Sequence, residues 1–171
     1  SNQYTMPFLL EEMEPYPIII KLVSGTQGMG VILAENKSNA ESILEAFYAT
    51  REKVIMQKFI REAKGADIRA FVVDGEIVGA MKRQAKPGDF RSNLHRGGTS
   101  ELITLTSQEE ETALKSVEIL GLKIAGVDML KTNSGPVVLE VNASPGLEGI
   151  EGTTGVDIAG KIISFIEKNR K

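Results

Sequence analysis

Along the chain, apolar residues gather in short runs set apart by polar and glycine-bearing breaks. Residues 17–22 form the first run, with Lys21 near its end. The loop Ser24-Gly25-Thr26-Gln27-Gly28-Met29-Gly30 follows, then a second run over 31–34. Strand, glycine loop, strand is the simplest reading. Ser38 with Glu41 makes a capping box, and Ile43, Leu44, Phe47 and Tyr48 recur at helical spacing, so a helix is expected over about 39–50. Residues 54–57 read as the next strand. Residues 68–73, the pair Asp74-Gly75 and residues 77–81 make a hairpin, because Asp-Gly supplies the positive φ angles of a tight turn. Thr106 with Glu109 caps a second helix that carries Ala113, Leu114, Val117 and Leu120 and stops at Gly121. Strands over 124–131 and 137–141 and a closing helix over 156–167 complete an α+β pattern. It divides into a small lobe over 1–60 and a larger one over 61–171.

Composition narrows the chemistry. With 171 residues, 42% of them hydrophobic, the chain is long enough for one ordinary core or two small ones. Lys and Arg number 20 against 23 Asp and Glu, and the net charge of −3 offers no global attraction to nucleic acid or to an anionic membrane. No run approaches the roughly 20 apolar residues of a membrane span. Cysteine is absent and His95 is the single histidine, which excludes thiol catalysis, thiolate or multi-histidine zinc sites and a serine–histidine relay needing a second histidine. Any bound metal must rest on oxygen. A soluble cytoplasmic protein is expected, and the opening Ser1-Asn2 reads as a tag remnant on a portion of something longer.

The stretch from Gly126 to Asn142 is the most informative. A three-residue loop of Asn133, Ser134 and Gly135 would pair Thr132 with Pro136, and counting back sets Asp128 opposite Glu140. Side chains alternate with period 2, so Asn142 shares the face of Glu140 while Leu139 and Val141 turn to the core. Two carboxylates across a ladder repel, and a cation between them removes the conflict. Oxygen ligands without His or Cys suit Mg²⁺ or Mn²⁺. The alternative is a solvated face with incidental acids, and a two-residue turn would shift the register and remove the pairing. The glycines at 25, 28 and 30 let backbone N–H groups approach phosphates, with Lys21 adding charge. They equally suit a tight connection that needs glycine. The one basic patch runs from Lys82 and Arg83 through Arg91, His95 and Arg96, with Asp89 opposing it. Asp67 has a plainer role open to it, a pair with Lys82 across the hairpin.

Taken together, Lys21 before the glycine loop, Gln57-Lys58-Phe59-Ile60 closing the small lobe, and Asp128 with Glu140-Val141-Asn142 resemble the order of elements in ATP-grasp enzymes. The stretches Gly88-Asp89-Phe90-Arg91-Ser92-Asn93-Leu94-His95-Arg96-Gly97-Gly98 and Glu140-Val141-Asn142-Ala143-Ser144-Pro145-Gly146-Leu147-Glu148-Gly149-Ile150-Glu151 look like the RimK-type ligases. The likeness spans residues 17–169. It implies two lobes, each with a largely antiparallel sheet plus helices, and a nucleotide between them. By similarity, Lys21 contacts the α and β phosphates beside Gly25, Gly28 and Gly30. Gln57, Lys58, Phe59 and Ile60 border the adenine, and Asp67 stands near the sugar. Arg91 looks like the family's nucleotide-contacting arginine, and Arg83, Arg91 and Asn93 are its candidates for catalysis around the transferred phosphate. Asp128, Glu140 and Asn142 would hold two Mg²⁺, with Mn²⁺ able to substitute.

The implied activity is ATP-dependent amide formation through an acyl phosphate, adding L-glutamate to the C-terminus of a small-subunit ribosomal protein. Related ligases with a glutamyl-cofactor, lysine-biosynthesis or glutathione-type acceptor share this core, and a non-catalytic nucleotide-binding module is the reading from another class. Expected partners are ATP, L-glutamate and the acceptor, with no membrane and no direct nucleic acid. A homo-oligomer is left open. RimK-type ligases also carry an N-terminal domain and a further nucleotide-contacting lysine, both upstream of where this chain begins.

Overall fold

The computed structural model describes residues 6–24 and 28–170. The chain forms two compact units, Ser1–Ile60 and Arg61–Lys171.

In the first unit, strands β1 (Ile18–Leu22), β2 (Val31–Ala34) and β3 (Val54–Lys58) make an antiparallel sheet in the order β2-β1-β3. A short helix, α1 (Met6–Glu12), precedes it, and α2 (Lys37–Ala49) lies between β2 and β3. Helix α1 has too few residues to show a periodic stripe, so the apolar pattern alone did not reveal it. Ile18 and Ile20 of β1 are fully buried with Leu10, Ala34 and Ala40. Period 2 then puts Ile19 and Lys21 on the other face. The cap of α2 differs from the expected capping box at Ser38: Asn36 is the N-cap, its side chain accepting from the Asn39 N–H at 2.9 Å. An asparagine two residues earlier satisfies the same donor class.

The second unit is built on a five-stranded antiparallel sheet, order β6-β5-β4-β7-β8. Its strands are β4 (Ala66–Val73), β5 (Glu76–Gln84), β6 (Thr99–Leu102), β7 (Ile124–Thr132) and β8 (Gly135–Asn142). Asp74 and Gly75 both have positive φ, as the turn requires. Helix α3 (Ser107–Ile119) starts at the Thr106–Glu109 capping box and packs on one face against Ile68, Ala70, Val72, Ala125, Val127 and Met129. On the other face α4 (Glu148–Thr154) and α5 (Ile158–Lys168) cover Phe71, Val73 and Met81 through Ile150 and Ile158. Gly155, with a left-handed backbone, separates α5, the closing helix expected over 156–167, from α4, which the sequence pattern did not reveal.

Candidate active site

Strand β4 reads Asp67, Arg69, Phe71, Val73 along the face that α4 and α5 cover. The helices bury the apolar half, and the charged half continues the same row of side chains. Neighbouring strands bring Arg83 opposite Asp67 and Asp128 opposite Arg69. Arg83 donates through Nε to Asp67 Oδ1 at 2.7 Å, and one terminal nitrogen donates both to Asp67 Oδ2 and to Asp128 Oδ2, the latter at 2.8 Å. Arg69 grips Asp128 with a fork, Nε to Oδ1 at 2.7 Å and a terminal nitrogen to Oδ2 at 2.6 Å. Asp67, Arg83 and Asp128 are all buried, Asp128 to 2% exposure. Two acids and two guanidinium groups thus form a ladder of alternating sign and zero net charge.

Burial pushes the Asp67 carboxyl above its ordinary value, opposed by the hydrogen bond and charge of Arg83, while the Asp128 charge adds to the rise and a Ser92 hydrogen bond counters it. Burial works against the charge on Arg83 too. The hydrogen bond to Asp67 and the charges of both acids outweigh it, so its guanidinium stays charged more firmly than usual. The expected alternative of an Asp67–Lys82 pair is not what forms: Lys82 bonds Glu101 at 2.8 Å. The reason is a bulge. Between Phe71 and Val72 the register shifts, so Val72 faces Ile77 but Phe71 faces Gly79, and everything beyond moves by one residue. That slip turns Arg83 instead of Lys82 to the face of Asp67.

A second bulge shapes the hairpin of β7 and β8. The turn is two residues long, Thr132 facing Gly135, and not the three-residue loop expected. The register then shifts between Asp128 and Met129: Met129 faces Val138, Asp128 faces Glu140, and Leu139 is the residue stepped over. The extra residue undoes the shift that the short turn would have caused. Asn142 faces Gly126 and donates through Nδ2 to Glu140 Oε1 at 3.2 Å, so Asp128, Glu140 and Asn142 share one face. Among the described residues, no group of three His, Cys, Asp or Glu side chains stands close enough to hold a metal. The third donor here is an amide. The oxygen set suits a hard cation. Among the described residues Asp128 Oδ1 accepts one hydrogen bond where Oδ2 accepts two, which leaves Oδ1 the oxygen with room for a further partner.

The basic loop lies beside the ladder. Ser92, tied to Asp67, sits between Arg91 and Asn93 in the chain. Arg91 is held by Asp89, its Nε 3.0 Å from Oδ1 and its backbone N–H on the same oxygen, and it stacks over Phe90 at 5.3 Å. The hydrogen bond from Arg91 keeps the Asp89 carboxyl below the usual range. Asn93 caps the turn Leu94–Arg96, its side chain accepting from the exposed His95 through the backbone N–H at 3.0 Å.

In the first unit, Lys21 faces Val31 and Ile55, and Ile19 faces Gln57, so Lys21 and Gln57 occupy the sheet face turned away from its helices. Lys58, opposite Ile18, closes β3, and Phe59 and Ile60 follow it. Gly28 and Gly30 have φ of 73° and 70°. A Cβ on Gly30 would also stand 2.5 Å from Leu22 Cδ1, so both backbone and packing demand glycine there. Gly25 lies outside the described residues. Arg69 is the residue that sequence reasoning missed. Its signal was available in the alternation Asp67, Arg69, Phe71, an odd place for a charge on a strand otherwise buried.

A model of the RimK-like ATP-grasp domain matches residues 5–166 of the chain. The chain belongs to this family. A probable alpha-L-glutamate ligase of Shewanella amazonensis is 56% identical over 163 residues, which cover 95% of this chain and 54% of that protein. The chain therefore spans about half the length of such relatives. A RimK domain ATP-grasp protein from Sphaerobacter thermophilus superposes with a TM-score of 0.69 at 27% identity, over 95% of this chain and 57% of that one. The ATP-grasp ligase PsnB, solved with its minimal precursor, Mg and ADP, superposes at 0.72 over 99% of this chain and 52% of that one, at 22% identity. The RimK-like, ATP-grasp fold is thus an α+β fold here, with two antiparallel sheets and their helices.

Proposed function

We propose that this chain is the nucleotide- and metal-binding core of an ATP-dependent ligase that joins L-glutamate to an acceptor through an acyl phosphate. The acceptor in this reading is the C-terminus of a small-subunit ribosomal protein, and the reaction belongs to the cytoplasm. The observation that carries it is the shared face of Asp128, Glu140 and Asn142 beside the arginines of the ladder. The glutamate-ligase relatives and the Mg and ADP in PsnB support it.

A carboxylate is a resonance-stabilised anion that amines do not attack, so amide formation needs an activated acyl group. One oxygen of the acceptor's terminal carboxylate attacks the γ-phosphorus of ATP and ADP leaves, and glutamate supplies the amine. The amine then adds to the acyl carbon, phosphate departs with the C–O bond pair, and the amine's proton passes to solvent. Little covalent chemistry falls to the protein, so positioning and charge neutralisation carry the rate. Lys21, with backbone at Gly28 and Gly30, receives phosphate oxygens, and Gln57 to Ile60 border the base. Arg91, preset by Asp89, and Asn93 meet the transferred phosphate. Arg83 contributes mainly through its charge, since Asp67 and Asp128 hold its Nε edge. Asp128, Glu140 and Asn142 would hold Mg²⁺, or Mn²⁺ in its place, which when bound neutralises phosphate charge.

The test is incubation of the full-length protein with ATP, glutamate and candidate acceptors, followed by mass measurement of the acceptor. Mass gains in steps of one glutamyl unit are expected, abolished by Asp128→Asn. A different acceptor gaining the mass would move the chain to a sister ligase, and no gain on any would defeat the proposal.

A further inference from the structure

We propose that Arg69 is the positioning residue that aims Asp128 at the bound metal, an inference resting on the metal and nucleotide reading of this face. Asp128 is 2% exposed, and a carboxylate so buried needs partners to stay charged. Arg83 alone does not suffice, because it is shared: it makes two bonds to Asp67 and one to Asp128. Without Arg69 the row holds two acids and one cation.

Geometry adds what charge alone would not. Arg69 stands directly opposite Asp128 and takes both carboxylate oxygens through Nε and a terminal nitrogen. A planar fork fixes the carboxylate plane, which a lysine ammonium cannot do. In the sheet order both guanidinium groups approach from the β4 and β5 side, while Glu140 stands on β8. The fork therefore sets the direction in which Asp128 meets the space beside Glu140. Gly126, next along β7 on this face, keeps room for the arrangement: a Cβ there would lie 2.8 Å from Pro145 Cβ and 3.9 Å from Arg69 Nε.

The experiment compares the wild type with Arg69→Lys and Arg69→Gln. Mn²⁺ affinity is read by electron paramagnetic resonance with nucleotide present, and nucleotide affinity is read separately in chelator. Both variants are expected to weaken Mn²⁺ binding about 10- to 100-fold while nucleotide affinity in chelator stays at the wild-type value. Wild-type Mn²⁺ affinity in Arg69→Lys would overturn the role of the fork. Loss of nucleotide binding in chelator as well would make Arg69 a merely structural residue and also overturn it. A wild type that shows no metal-assisted binding would instead remove the underlying reading, and this inference with it. Should both variants fail to fold, the wild type still decides. Its Arg69 Nε–H resonance is expected to shift when Mg²⁺ joins nucleotide, and an unmoved resonance overturns the proposal.

Discussion

At the scale of single residues, the ladder mixes two roles that activity measurements alone would confuse. Removing one partner of a buried ion pair leaves an uncompensated charge and typically costs about 3–5 kcal/mol. Arg83→Met would strand Asp67 and half-strand Asp128. Urea unfolding is expected to show a loss of that order, so a fall in ligase activity for this variant reports folding and chemistry together. Asp89 behaves differently. Its folded carboxyl lies below the ordinary value because Arg91 bonds the ionised form, so it adds stability above the unfolded value of about 4, and that share fades as pH falls through the folded value. Asp89→Asn is expected to flatten the acid limb of melting temperature against pH below about pH 4, while the wild type keeps the steeper limb. An unchanged limb would show that the pair contributes nothing to folding.

At the scale of elements, every strand but β6, helices α2, α3 and α5, and the acid pair were legible from alternation, caps and turn residues. The Asp74-Gly75 turn and the Thr106–Glu109 box are local signals that tertiary packing had no reason to overrule. Bulges were not legible, because no residue type demands one and their register effect is felt strands away. The alternative Asp67–Lys82 pair suits an unbroken hairpin, and one extra residue turned Arg83 inward instead. In β8 the same device worked the other way: a turn shorter than expected and a bulge at Leu139 return Asp128 to Glu140. Deleting Leu139 is therefore expected to straighten β8 and leave Glu140 opposite Asp128, with Mn²⁺ affinity by titration near the wild-type value. A large loss of Mn²⁺ binding would mean that the bulge matters for more than register.

At the scale of the whole molecule, the order of motifs identified the family where no single motif did, because glycine loops and carboxylate pairs are each common. Arg69 escaped because its importance lies in a partner 59 residues away in the chain. Its strand carries a further implication. Asp67 and Arg69 share β4 with Phe71 and Val73, which the helices bury, so the charged row has no hinge separating it from the core. Opening the one requires breaking the backbone ladder of the other. Amide protons of Arg69 and Asp128 are thus expected to exchange with solvent deuterium as slowly as those of Phe71 and Val127, in a single cooperative event. A face proposed to receive transient guests would then be among the last parts of the protein to breathe.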